Sequence, residues 1–197
     1  MSISNFIKDC TKNIAGNQES LFVAPYPRVV SITLTEDEVS AIEMSELVVG
    51  PPEIPAGKFA YLESDLDSIQ YTSDGTAARG YFSEQNLIAK FSKKSKALEK
   101  TVSELTDAAT CGLVAIRVDG NGKAWISGIA PATAAGNRPY MSVQDQFDSG
   151  EGIEDSEDGN RYTITMSRMS ATKEYPLDET LTASIIGGTA AFINWPA

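Results

Sequence analysis

Histidine is missing altogether from the 197 residues. Its absence excludes Ser-His-Asp triads, Cys-His nucleophile pairs, histidine-ligated zinc and the usual near-neutral proton shuttle. Cysteine is scarce: Cys10 and Cys111 are the two present, too few for a Cys-only zinc site or a disulfide scaffold and too far apart for a CxxC redox motif. They read as reduced thiols rather than a disulfide. Positive charge is also short, with 16 Lys plus Arg against 27 Asp plus Glu and a formal charge of −11. Such a surface repels nucleic acid and anionic membranes, because phosphate binding needs clustered cations. The one basic run, Lys93, Lys94, Lys96 and Lys100, falls in a helical pattern where it reads as a solvated face.

Long apolar runs are absent as well. The longest uncharged stretch, Leu181 to Ala197, contains Gly187, Gly188, Asn194 and Pro196 and is too short and polar to span a bilayer. Residues 1–20 lack a basic region followed by a continuous apolar one, so no signal peptide is read. No glycine-rich phosphate loop is present: Gly120-Asn-Gly122 has no helix after it, and Gly187-Gly188 fits neither GxGxxG nor GxxxxGK. No Ser-x-x-Lys nucleophile signature stands in a recognisable context, and nothing places two carboxylates at a glycosidase spacing.

What the chain does have is Ser and Thr, 35 in all, interleaved with Val, Ile, Tyr and Phe. This is the texture of half-buried strands. Arg28–Leu34, Lys58–Leu62, Arg79–Phe82 and Asn86–Phe91 read as short strands separated by turn residues, a spacing that favours antiparallel connections. Leu113–Val118 and Lys123–Ser127 flank Asp119-Gly-Asn-Gly122 and predict a hairpin, since Asn-Gly tolerates the positive φ of tight turns. Arg161–Met169 alternates Tyr162, Ile164 and Met166 against Thr163, Thr165 and Ser167, the period of a strand with one buried face. Leu181–Ile186 and Ala190–Asn194 are weaker strand signals broken by the glycine pair.

One segment is helical by pattern. Ser95–Ala109 places Leu98, Val102, Leu105 and Ala109 on one stripe, with Cys111 and Gly112 as the stop and Ser92 or Ser95 as the cap. A second short helix is read near Met1–Cys10. Val49–Gly57, with three prolines, Gly128–Tyr140, rich in small residues, and Asp145–Asn160, with seven acids and no base, read as loops. The acidic loop is a poor EF-hand: Gly159 stands one position early and the twelfth-position Glu is missing. Trp125 and Trp195 read as packing residues rather than ligand platforms. No catalytic residue, cofactor-binding residue or metal ligand is assigned, and no cofactor is expected.

The order of elements, a strand-rich first half, then the helix, then Val118-Asp-Gly-Asn-Gly-Lys-Ala-Trp125, then Gly159-Asn-Arg-Tyr-Thr-Ile-Thr-Met166, resembles the tail tube proteins of tailed bacteriophages, in particular a group found in phages and prophages of Bacteroidetes. The opening, with Cys10 near the start and Gly16 to Val30 leading into Ser31-Ile-Thr-Leu34, is similar too. The resemblance implies a mainly β, antiparallel sandwich or small barrel with one flanking α-helix near residues 95–110. It implies one domain over 1–197, with an N-terminal arm, long loops at 49–57 and 128–160, and a C-terminal arm at 181–197. It further implies a non-enzymatic virion protein made in the host bacterial cytoplasm. Six copies would close a ring and rings would stack into the tail tube, touching other tail proteins and passing DNA without binding it specifically. Residues 49–57, the N-terminal arm and 181–197 are then the expected inter-ring contacts. The long acidic loop and the length of 128–140 depart from the pattern and keep open another β-rich virion component, such as a capsid decoration or tail terminator protein. An acidic calcium- or carbohydrate-binding β-sandwich module is the reading from a different class, and a carboxylate hydrolase a third.

Overall fold

Residues 17–45, 57–64, 69–77, 81–92, 96–129, 141–148, 161–170 and 174–195 are described by a computed structural model. The architecture follows from which strands are buried on both faces. Strand β1 (Asn17–Pro25) buries five consecutive residues, Leu21 to Pro25, and β7 (Leu113–Asp119) buries six, Leu113 to Val118. Runs buried without alternation belong in the middle of a layered structure. These two strands pair antiparallel, Phe22 opposite Ile116, at the centre of a six-stranded sheet. Outward from β7 come β8 (Ala124–Ser127) and β11 (Tyr175–Pro176), and outward from β1 come β4 (Phe59–Glu63) and β12 (Ile193–Asn194).

Odd-numbered β1 and β7 residues, Leu21, Val23, Leu113 and Ala115, face a second, four-stranded sheet ordered β5 (Gln70–Ala77), β6 (Tyr81–Ser92), β10 (Arg161–Ser170), β9 (Ser142–Asp148). Leu87, Ala89 and Phe91 of β6 and Tyr162, Ile164 and Met166 of β10 complete that core, the alternation read from the sequence. Helix α1 (Lys96–Ala109) seals it with Val102, Leu105 and Ala108. Its end is tightened by Cys111 and Gly112 amides bonding to Ala108 and Ala109 carbonyls, and Gly112 takes φ +83°, which releases the chain into β7.

The other face of the central sheet carries Phe22, Ala24, Val114, Ile116, Val118 and Ile126. A third layer covers it, made of the hairpin β2 (Val29–Thr35) and β3 (Glu38–Met44) together with helix α2 (Glu179–Ile186). Fully burying a Phe, Leu or Ile contributes about 1.5–3 kcal/mol each, so both faces of the central sheet need this cover. The fold is mainly β, with two helices among the described residues.

Several expectations are corrected. Leu181–Ile186 is helix, not strand: Asp178 caps it, its carboxylate accepting the Leu181 amide at 2.7 Å, and Thr182 and Ile185 point inward. The β-branched content misled, and Gly187-Gly188 is the helix stop, with the Gly188 amide bonding Ile185 and φ +68°. Strand beyond it shrinks to Ile193–Asn194, which runs parallel to β4, an exception to the antiparallel expectation. Within the segment read as loop, residues 142–148 form β9, and the two strands expected at 79–82 and 86–91 are one continuous β6. The 95–109 helix, the 113–127 hairpin and the 161–169 strand stand where they were read. The expected helix near Met1–Cys10 and most of the 49–57 and 128–140 loops lie outside the described residues.

Candidate assembly surface and a buried polar cluster

No cluster of His, Cys, Asp or Glu among the described residues could hold a metal ion, and no described helix is long and apolar enough to cross a membrane. Of the 145–158 stretch, weighed above for calcium, only 145–148 is described, as part of β9. Of the basic run, Lys96 and Lys100 are exposed on the helix, with Lys100 paired to Glu104 at 3.7 Å; Lys93 and Lys94 lie outside the described residues. Cys111 is exposed, and Cys10 lies outside the described residues.

The Val118–Trp125 motif proves to be a hairpin lock. One Asp119 carboxylate oxygen accepts the amides of Asn121 and Lys123, both at 2.9 Å, and the other accepts the Trp125 indole N–H at 2.9 Å. Gly122 takes φ +77°, and the Lys123 ammonium reaches Glu38 at 2.7 Å, tying the turn to β3. Asp119, Asn121, Gly122, Lys123 and Trp125 therefore serve the turn, while Val118 and Ala124 pack in the core. Trp195 packs edge-on against Phe22 with centroids 5.5 Å apart, and donates its indole N–H to the Ala190 carbonyl. With Ser20, Tyr61 and Ile185 these rings line a recess of about 140 Å³. A second recess lies among Glu36, Glu38 and Asp178, where Glu38 is already engaged by Lys123.

Two features stand out. The first is a contrast between sheet edges. The six-stranded sheet ends on strands of two residues each, β11 and β12, whereas the four-stranded sheet ends on β5 with eight residues and β9 with seven. Among the described residues neither β5 nor β9 has a second strand partner. Natural sheets shorten, cover or charge their edges, because a long unpaired edge templates another chain. The outward face between these edges carries Thr72, Asn86, Thr163, Thr165 and Ser167, with Asp74, Glu84, Lys90, Ile88 and the exposed Met169.

The second feature is a buried polar cluster at one end of the core between the sheets. On the core-facing positions of β10 and β6, the apolar series gives way to Arg168 and Gln85, whose side chains bond at 2.8 Å. Arg168 also donates to the Ile129 carbonyl at 2.9 Å. From the central sheet, Arg117 grips Glu174, Nε to Oε2 at 3.2 Å and Nη2 to Oε1, and the Ser127 hydroxyl reaches the same carboxylate at 3.3 Å. The Arg117 guanidinium lies 5.0 Å from the centroid of the Tyr71 ring on β5 and 5.8 Å from that of Trp125. Burial pushes the Glu174 carboxyl above its usual value, more than Arg117, Ser127 and Arg168 pull it down. Burial likewise lowers Arg168, although a guanidinium keeps its proton throughout the physiological range.

None of these cluster residues was singled out from sequence. The signal was there for Arg168, which continues the 162, 164, 166 alternation onto the buried face. Glu174 carries no such mark, since its partner lies on a strand 57 residues away. The chain matches no family model, no curated protein and no solved structure.

Proposed function

We propose that this chain is a virion structural protein that assembles edge to edge into rings of six, stacked as a phage tail tube. The observation that carries the reading is the four-stranded sheet with two long edges beside a six-stranded sheet that ends on two-residue strands; the third sheet is the two-stranded hairpin of β2 and β3. Every pairing within that sheet is antiparallel, so its first and last strands, β5 and β9, run in opposite directions. A neighbour rotated about an axis along the strands lays its β5 antiparallel against this β9, and the alternation continues unbroken around a closed, heterologous ring.

Dimensions agree with a conduit. Six copies of four strands, spaced about 4.8 Å and tilted by up to about 40°, close a barrel of roughly 37–48 Å backbone diameter. After side chains, that leaves room for a DNA duplex. A lumen lined by the hydroxyl- and amide-rich outward face gives phosphates little to hold, which lets DNA slide. The chemistry of the described residues requires no catalysis for this role.

Electron microscopy and light scattering of the purified chain over a concentration series test the proposal. Rings or tubes with a central hole of duplex width are expected. A monodisperse monomer at every concentration refutes it, and caps or discrete trimers point instead to another virion component.

A further inference from the structure

Strand β5 is a peculiar edge. It pairs on one side only among the described residues, with β6, and three described side chains turn from it and its lead-in toward the core: Ile69, which is buried, Tyr71, half-buried against the cluster, and Ser73, whose hydroxyl is buried. From the central sheet, the Arg117 guanidinium carbon lies over the ring of Tyr71. That guanidinium is oriented in turn by two bonds to Glu174. Glu174 stands at the head of the segment 174–195, which joins one edge of the central sheet as β11, crosses its opposite face as α2 and joins the other edge as β12. The carboxylate thus lies on one face and Leu177, Ile185 and Ile193 on the other, so the segment wraps the edge of the sheet.

We propose that the chain Glu174–Arg117–Tyr71 is a relay through which docking of the C-terminal segment 174–195 orders strand β5, making the assembly edge conditional on a completed C-terminal fold. In its consequence for assembly this rests on the ring reading above. The relay itself does not. The physical basis is that an arginine stacks well only when its fork is held, and a carboxylate holding two of its nitrogens leaves the plane free for an aromatic face. With Glu174 gone, Arg117 loses the two bonds that hold its fork beneath the ring. Tyr71 then loses that cover, and β5 keeps its ladder to β6, Ile69 and Ser73. A chain whose last residues have not docked would present a frayed β5, and premature edge pairing would be suppressed.

Hydrogen exchange read by mass spectrometry on the full chain tests this. In Glu174→Ala the amides of residues 70–77 should exchange about tenfold faster or more, while those of 59–63, paired to β1, keep wild-type rates. Arg117→Lys, which keeps the charge but not the plane, should act in the same direction. Tyr71→Phe keeps the ring and removes the hydroxyl that faces Ser73 and the Glu174 backbone; exchange near wild type is expected, and an acceleration equal to that of Glu174→Ala overturns the relay in favour of the hydroxyl contact. Unchanged exchange at 70–77 in both Glu174→Ala and Arg117→Lys overturns the relay, as does an equal acceleration over every strand. Assembly is then titrated by light scattering. A rise of the assembly threshold in Glu174→Ala by about tenfold, in step with the exchange, supports the coupling. A threshold equal to wild type despite faster exchange overturns the coupling. If the wild type never assembles, the ring reading fails while the exchange result still decides the relay.

Discussion

Gly128 sits where β8 ends, and replacing it with Ala joins two separable penalties. Its φ is +91°, and a Cβ built there lies 2.5 Å from the Leu113 carbonyl oxygen and 3.0 Å from the Val114 Cα. Both obstacles are backbone, at the centre of the molecule, and cannot swing aside. The Leu113 oxygen accepts the Met141 amide at 2.9 Å, and the Leu113 amide donates to the Met141 carbonyl at 3.0 Å. Relieving the overlap therefore strains a reciprocal pair that anchors the lead into β9. The left-handed backbone costs about 1–2 kcal/mol for a residue with a Cβ, and two weakened hydrogen bonds add about 0.5–1.5 kcal/mol each, roughly 2–5 kcal/mol together. At a urea slope of about 2 kcal/mol/M for a chain of this size, the midpoint should fall by about 1–2.5 M. Gly188→Ala is the internal control: φ is +68°, but nothing lies within 4 Å of the added Cβ, so only the backbone term of about 1–2 kcal/mol applies. Equilibrium urea unfolding followed by tryptophan fluorescence measures both. Equal midpoints for the two variants would refute the steric reasoning, and a Gly128→Ala midpoint within about 0.3 M of wild type would refute the whole account.

Other substitutions probe the cluster and the turn. Because burial holds the Glu174 carboxyl above its unfolded value, the folded state binds its proton more readily. Glu174 therefore contributes stability that is fully present below the unfolded pKa and lost as pH rises through the folded one. Glu174→Gln stays neutral, so the stability difference, wild type minus variant, should fall as pH rises from about 4 to 7; a difference that grows with pH would refute this. Asp119→Ala removes the acceptor of two turn amides and the Trp125 indole and should cost about 2–3 kcal/mol by urea unfolding, against under about 1 kcal/mol if the carboxylate is dispensable. Phe22→Ala, at the junction of β1, β4 and the Trp195 ring, should cost about 3–5 kcal/mol in the same assay.

Legibility differed by element for physical reasons. The strand 161–170 and helix 96–109 each bury one face, so their periods of two and 3.6 are written in the order of apolar residues. The 113–127 hairpin was legible because Asn121-Gly122 supplies the turn locally. Strand β1 was not, because both its faces are covered and Leu21 to Ala24 form a short run without period. Strand β5 was not, because an edge strand carrying Gln70, Thr72, Asp74 and Gly75 has the composition of a loop. Helix α2 was misread because Thr182, Ile185 and Ile186 favour strands, and the Asp178 cap and the cover it gives the central sheet outweigh that preference.

By itself, then, the order of residues determined that the protein is mainly β, that one amphipathic helix precedes a tight hairpin, and that histidine chemistry is excluded. Those properties are local: they depend on composition, on period and on turn residues a few positions apart. Only the tertiary structure decided that the central sheet is covered on both faces, that β5 and β9 end a sheet on long edges, and that Arg117 meets Glu174 and Tyr71. Pairings across tens of residues depend on which apolar faces find each other, and no local pattern encodes that choice.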